Sequence, residues 1–336
     1  MDTEKQAGKS SLLRGYIKIA RPDHWIKNLF IVPGFFVAWI LVPEKSAMSS
    51  YLLPLLLAFI ATSLVASANY VINEWLDAEF DKFHPVKKYR PVVVSNLKFS
   101  VVMAEYVVLT AAGLALAWKV NAMFFWMALW LWVMGVLYNV EPIRTKDLPF
   151  IDVLSESVNN MIRLLMGWFV VAYQFIPPCS IILGYWMAGA FLMGMKRFAE
   201  YRMIDNPETA GLYRKSFKHY SVLSLLVSSL CYGMLSTFFI GIFLVQHRPE
   251  FLICIPFLIM LFGKYVAISF RADSAAQKPE KLYREKGLMI LVAVFTISVI
   301  VAFCVDMPWL RIFTVERLVP VHGFMPYFTS CVAPAP

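Results

Sequence analysis

Nine long apolar runs constrain this chain more than any other feature. They fall at roughly 27–43, 50–73, 101–118, 121–139, 151–174, 179–197, 221–246, 250–270 and 287–306. A helix rises about 1.5 Å per residue, so about 20 apolar residues cross the ~30 Å hydrocarbon layer of a bilayer. Inside lipid every backbone N–H and C=O must be bonded within the protein, which leaves helices or closed barrels, and runs of this length are helical. The expected fold class is all-α: a polytopic membrane protein of about nine transmembrane helices around a central cavity opening to the cytoplasmic side. Composition agrees, with 60% hydrophobic and 16% charged residues among 336, less charge than a soluble domain of this size carries. The first run begins after about 28 polar or mixed residues, beyond the reach of a short cleavable leader, so internal spans are expected to direct insertion.

Basic residues set the expected orientation. Segments 1–27, 74–100, 140–150, 196–220 and 271–286 hold 24 of the 31 Lys and Arg residues. They fall on alternate connections, so the positive-inside rule puts these segments and the amino terminus in the cytoplasm and the carboxyl terminus outside. Much of the formal charge of +9 is thereby topological, which removes the case for nucleic acid. Three parts are expected: residues 1–27 with an interfacial helix in LLRGYIKIARPDHW, a nine-helix domain over 28–306, and a proline-interrupted tail over 307–336. The five cysteines (Cys179, Cys231, Cys254, Cys304 and Cys331) show no paired spacing, which argues against a zinc site or a disulfide framework.

The densest polar stretch is NYVINEWLDAEFDKFHPVKKYRP, Asn69–Pro91, at the end of the second run. Asn73, Asp77 and Asp81 recur every four residues and therefore share one helix face. They span about 12 Å along the axis, too far for one ion lying ~2.1 Å from each ligand. Either two neighbours hold an ion and the third acts through water, or the face holds an extended group such as Mg2+-diphosphate. Oxygen donors favour a hard ion such as Mg2+. His84, Lys87, Lys88 and Arg90 follow at once, and the three bases suit phosphate oxygens. A solvated helix end followed by a positive-inside loop is the plain alternative.

Four further clusters lie on the same expected side. RPDHWIKN places Lys27 and Asn28 at the membrane entrance, as snorkelling groups or as a cavity mouth. YNVEPIRTKDLPFID offers Arg144 and Lys146 between Pro142 and Pro149, and then Asp152, where a carboxylate can cap the fifth helix. Asp152, Glu156, Asn159, Asn160 and Arg163 form one stripe along that helix, which must face protein or a wet cavity, because lipid would penalise it. It serves either as a hydrogen-bond seam or as a binding surface, and Arg163 needs an anionic partner or ligand. The sixth run ends MGMKRFAEYRMID, with Lys196, Arg197 and Glu200, then Arg202 and Asp205; Lys196 and Glu200 have ion-pair spacing.

Taken together, Asn73-x3-Asp77-x3-Asp81, the nine runs and YNVEPIRTK before the fifth run resemble the UbiA-type superfamily of intramembrane prenyltransferases. RPDHWIKN, NEWLDAEFDKFHPVKKYRP, KRFAE and PEKLYREKG are most similar to its decaprenyl-phosphate phosphoribosyltransferase branch, over nearly all of residues 15–306. The resemblance implies an integral enzyme, in the bacterial cytoplasmic membrane, that uses Mg2+ to move 5-phosphoribose from phosphoribosyl pyrophosphate to a polyprenyl phosphate, an acceptor of the kind used for cell-wall precursors. It implies Asn73, Asp77 and Asp81 as the catalytic, metal-binding set. Lys27, Lys87, Lys88, Arg90, Arg144, Lys146, Asn160, Arg163, Lys196, Arg197 and Glu200 are the expected substrate contacts. Typical users of prenyl diphosphates carry a second DxxxD after the sixth run. Here Lys196, Arg197 and Glu200 stand in its place, a set better matched to a phosphate without its own metal. The alternatives are prenyl transfer from a prenyl diphosphate to an aromatic or other small acceptor, and transport or binding of an anionic lipid. The bilayer is an expected partner, nucleic acid is not, and a homo-oligomer is left open.

Overall fold

The computed structural model describes residues 12–42, 46–83, 87–94, 97–204, 207–271, 274–277 and 279–314. Residues 1–11, His84, Asp205 and tail residues 315–336 lie outside them. The described residues are mostly helical, with no strand among them. The nine longest helices are α1 (Ile31–Leu41), α2 (Leu52–Asp81), α3 (Phe99–Val120), α4 (Ala122–Asn139), α5 (Ile151–Val171), α6 (Cys179–Ile204), α7 (Val222–His247), α8 (Ile255–Ser269) and α9 (Lys286–Cys304).

Eight segments among the described residues are long and apolar enough to cross a membrane. They coincide with every predicted run but the fifth. That run is α5, whose 21 residues are long enough, while Asp152, Glu156 and Arg163 keep it off the apolar count. Burial explains how it tolerates them. Most of α5 is buried, and it packs on α1, α2, α4 and α6. The outward faces of other helices carry exposed Val107, Val108, Ile290, Ile297 and Ile300, a surface suited to lipid rather than water.

The first span is not one straight helix. Residues 12–19 are helical, Arg21 turns to a left-handed φ of 49°, and a 3-10 stretch over Pro22–Phe30 leads into α1. Helices then approach closely at small residues. A Cβ on Gly34 would lie 1.9 Å from the Leu164 carbonyl oxygen, and one on Gly167 1.9 Å from that of Ile31. Two glycines facing each other's helix thus bring α1 and α5 into backbone contact, the packing that lipid favours.

Helix length positions the polar groups. The 30 residues of α2 reach about 45 Å, well beyond a ~30 Å apolar layer. Its last turns, from Asn73 to Asp81, can therefore stand clear of hydrocarbon. The end of α6, the connection after α4 and the start of α5 meet them at the same end of the bundle. A separate apolar groove of about 900 Å³ lies between α6, α7 and α8, lined by Phe191, Met234, Phe238 and Phe262 among others. It shares no residue with the charged end.

Candidate active site

Two ion-paired centres face each other at this end. The first is built on α2. Asp77 Oδ1 accepts hydrogen bonds from Lys146 Nζ at 2.5 Å and from Arg144 Nη2 at 3.0 Å. Asn73 donates its amide N–H to Asp77 Oδ2 at 3.2 Å and also to Asn139. Lys146 donates a second bond to Asn139 Oδ1 at 2.8 Å. One turn on, buried Asp81 pairs with Arg90, whose backbone follows the 3-10 turn Lys87–Tyr89. The face predicted for Asn73, Asp77 and Asp81 therefore exists, and each carboxylate on it meets a base.

Local backbone explains how Arg144 and Lys146 get there. Arg144 has a φ of 27° and Phe150 one of 64°, both uncommon for residues with a Cβ and together worth a few kcal/mol, about 1–3 each. Side-chain bonds hold them in place. Arg144 Nε lies 3.1 Å from Asp147, and its guanidinium sits 4.8 Å from the Phe80 ring centre. The Phe150 N–H donates to Tyr220 Oη. Burial lowers the Lys146 ammonium to a pKa of about 8, Asp77 raising it and Arg144 lowering it further.

The second centre is built on α5 and α6. Arg197 is almost wholly buried and touches three carboxylates: Glu156, Asp152 at 3.4 Å and Glu200 at 3.3 Å. Lys196 lies 3.5 Å from Glu156, and Arg214 lies 3.4 Å from Asp152. Tyr220 and Ser216 donate to Asp152 at 2.6 and 3.2 Å. Burial and the adjoining Asp152 push the Tyr220 hydroxyl up, so it stays a donor. Burial alone would lower Arg214, but Tyr138 and three carboxylates hold it well above the ordinary arginine value. Lys87 joins the centres: its ammonium lies 2.9 Å from Glu200 and also meets Tyr213.

Most of the predicted contacts thus come together: Asn73, Asp77, Asp81, Lys87, Arg90, Arg144, Lys146, Lys196, Arg197 and Glu200. Lys88 does not join them; it is exposed, 5.2 Å from the Tyr89 ring centre. Lys27 lies at 3.1 Å from His24 Nδ1, in the 3-10 stretch before α1. Asn160 packs against Gly189 of α6. Arg163 lies three turns deeper along α5, about 16 Å from Asp152, and bonds Asn28 rather than the charged centres.

Two expectations are corrected. Asp152 is not a helix cap: α5 starts from Phe150 without a side-chain cap, and the carboxylate is held by Tyr220, Ser216, Arg197 and Arg214. The spacing of Lys196 and Glu200 suggested an intrahelical pair, but Lys196 reaches across to Glu156 and Glu200 takes Arg197 and Lys87. Tertiary partners bring greater charge complementarity than the next helical turn.

Asn139, Tyr138 and the Arg21–Glu74 pair escaped selection from sequence, and Arg214 was legible only as one of several cations in its loop. Asn139 closes an otherwise apolar helix, and a lone amide there is a usable signal. Glu74, 3.3 Å from Arg21, falls just past the predicted run, and only the extension of α2 to Asp81 brings it into the helix. Arg214 carries no such mark, because its loop is already basic. Among the described residues no three acidic, His or Cys side chains cluster as a metal site. The α2 face meets the case through two carboxylates and an amide. Asn73 spends its N–H groups on Asp77 and Asn139, and its side-chain oxygen has no hydrogen bond among the described residues.

Comparison with known proteins follows the same lines. Residues 30–289 match the UbiA prenyltransferase family. The chain is 26% identical over 239 residues to a decaprenyl-phosphate phosphoribosyltransferase of Mycobacterium tuberculosis, covering 67% of this chain and 74% of that one. It is 25% identical over 223 residues to a decaprenyl-phosphate phosphoribosyltransferase of Corynebacterium glutamicum, covering 66% and 64%. Its fold is similar to the solved structure of a UbiA homolog from Archaeoglobus fulgidus bound to GPP and Mg2+, with a TM-score of 0.65, 20% identity, and coverage of 87% of this chain and 100% of that chain.

Proposed function

This chain belongs to the UbiA prenyltransferase family and is an intramembrane transferase, and from that premise we propose that it moves 5-phosphoribose from phosphoribosyl pyrophosphate to a polyprenyl phosphate. The observation that carries this reading is the contrast between the two helix ends. The α2 end is an oxygen face, Asn73, Asp77 and Asp81. The α6 end is a basic core, Lys196 and Arg197, whose neighbouring carboxylates are all engaged by cations. One end suits a metal-bound diphosphate. The other suits a phosphate that arrives without a metal.

The donor set fits Mg2+: oxygens only, on successive turns of one helix. Two neighbours among Asn73, Asp77 and Asp81 would hold the ion directly and the third through water, and the ion when bound would supply positive charge to the diphosphate of the donor. Arg90, Arg144 and Lys146 surround the same carboxylates and can turn to the diphosphate oxygens, stabilising negative charge as it develops. Lys196 and Arg197 orient the lipid phosphate, and Lys87 stands between the two sites. An oxygen of the lipid phosphate forms the new bond to the anomeric carbon. The bond from that carbon to pyrophosphate breaks, and its electron pair leaves with pyrophosphate. The attacking oxygen is already ionised, so no strong base is required. The chemistry is proposed at the cytoplasmic face, where the basic segments lie, with the isoprenoid tail in lipid or in the groove between α6, α7 and α8.

The test is direct. Purified protein is incubated with Mg2+, phosphoribosyl pyrophosphate labelled in the ribose, and polyprenyl phosphate. Labelled lipid and released pyrophosphate are the expected products. Absence of labelled lipid, together with prenylation of an aromatic acid from a prenyl diphosphate, overturns the reading in favour of prenyl transfer.

A further inference from the structure

The charged end is internally balanced, base against carboxylate. Arg163 is not. Its side chain is 7% exposed, in the middle of the most buried helix of the bundle. Its partners are both neutral: Nε donates to Asn28 Oδ1 at 2.9 Å, and Nη1 donates to the Asn159 carbonyl at 2.9 Å. Among the described residues no carboxylate lies within ion-pairing distance of it. Every other arginine or lysine buried to this degree, Arg144, Lys146 and Arg197, has at least one.

The neutral partners are themselves fixed. Asn28 donates its amide N–H to Ser63 Oγ at 2.9 Å, which turns its oxygen towards Arg163. The 3-10 stretch before α1, α2 and α5 thus join to aim one guanidinium edge, while Nη2 has neither a bonding partner nor a place among the fully enclosed polar atoms. A guanidinium presents a planar fork of donors that fits two oxygens of one phosphate. Holding such a charge at membrane depth without an anion is costly, and the groups found there are usually part of a substrate path.

We propose that Arg163, positioned by Asn28 and Asn159, is the centre of a deep subsite for a phosphate monoester, separate from the diphosphate face at Asn73–Asp81 and the basic core at Arg197. The assignment rests on the transferase reading above and deepens it. Two sources share the chemistry: the 5-phosphate of the sugar donor and the head group of the lipid acceptor. A prenyl diphosphate with a neutral acceptor supplies neither.

Binding is measured by thermal shift on the purified full chain without Mg2+, using ribose 5-phosphate and geranyl phosphate as separate probes. Wild-type protein is stabilised by at least one of them. Arg163→Met weakens that probe about tenfold to a hundredfold, the loss of one or two charge-assisted hydrogen bonds. Arg163→Lys, which keeps the charge and loses the fork, restores part of the affinity. Loss confined to ribose 5-phosphate assigns the subsite to the donor, and loss confined to geranyl phosphate assigns it to the lipid. Unliganded Arg163→Met melts no lower than wild type, because an uncompensated charge has been removed; a residue serving only structure would melt lower. In turnover the same variant raises KM for the corresponding substrate with little change in kcat. Unchanged affinity for both probes in Arg163→Met, or no stabilisation of wild type by either, overturns the subsite. If wild type makes no phosphoribosyl lipid, the transferase reading falls by itself, and the binding result still decides on Arg163.

Discussion

The ends of α2 and α6 occupy corresponding places, one after the second span and the other after the sixth, and they have opposite polarity. At the α2 end the helix supplies oxygens, and the bases come from elsewhere: Arg144 and Lys146 from the connection after α4, Arg90 from the following turn. At the α6 end the helix supplies bases, and α5 brings two of the carboxylates, Asp152 and Glu156. Each end is neutralised mainly by its neighbours, with the Arg197–Glu200 pair within α6 as the contribution of its own helix. A fold that presents two anion sites can thus make one of them metal-dependent and the other not, by choosing which sign the helix itself carries. The same exchange compensates the buried charges of both ends within the protein itself, and removing one partner of such a pair is costly.

The comparison can be broken most severely at Asp77. Asp77→Ala removes the shared acceptor of Lys146 and Arg144, leaving buried Lys146 without a carboxylate and Arg144 with Asp147 alone. Activity in the labelled-lipid assay is expected to fall by about a thousandfold or more, in the range seen when one charge-stabilising group is removed. Stability is expected to fall by about 3–5 kcal/mol, measured by denaturation in detergent. Full activity in this variant would remove the α2 end from the mechanism.

Arg197→Met probes the other end. Three carboxylates lose their common partner, but each keeps a second base, Lys196, Arg214 or Lys87, so a destabilisation of about 1–3 kcal/mol is expected. The accompanying change should be in use of the lipid: KM for polyprenyl phosphate rises by about tenfold to a hundredfold while the Mg2+ requirement is unmoved. A shift in Mg2+ dependence instead would merge the two ends into one site.

The pH profile separates activity from stability. Lys146 is held at about 8, below its ordinary 10.5, first by burial. Its charge is lost as pH rises through 8, so activity should decline between about pH 7 and 9, where an unshifted lysine would still be charged. Stability moves the other way. Below pH 8 the lysine is protonated in both states and folding bears the cost of burying the charge. Between 8 and 10.5 the unfolded chain holds more protons, so this contribution to stability rises with pH. An activity profile flat to pH 10 would remove Lys146 from charge stabilisation.

The smallest effect is expected at Lys88. Although it belongs to the same basic triplet as Lys87 and Arg90, it is exposed beside Tyr89. Lys88→Ala should change turnover less than about twofold and stability by no more than ~0.5 kcal/mol. Comparison with Lys87→Ala in the same assay reads how much of the loop's charge serves the site.

A good part of this was legible in the chain. The spans could be read because hydropathy over some 20 residues is a strong signal, and Asn73, Asp77 and Asp81 because a four-residue period defines a helix face. The stripe on α5 was legible for the same reason, as was the need of Arg163 for a special environment. Pairing was not. Lys196 with Glu156, Lys87 with Glu200, and Asp152 with Tyr220 join residues 40 or more positions apart, and nothing local distinguishes them from a helical pair or a cap. Asn139 carried a signal, an isolated polar group closing an apolar run, that the choice of site residues passed over.

The sequence by itself determined that the chain is a helical membrane protein and that one end of α2 carries a face of oxygen donors. Both are periodic properties, and periodicity is local. Tertiary structure decided which carboxylate meets which base, that the α6 end is a neutralised basic core, and that among the described residues Arg163 alone of the deeply buried bases faces neutral partners. Charge pairing depends on distance through space, and distance is settled only when the helices pack.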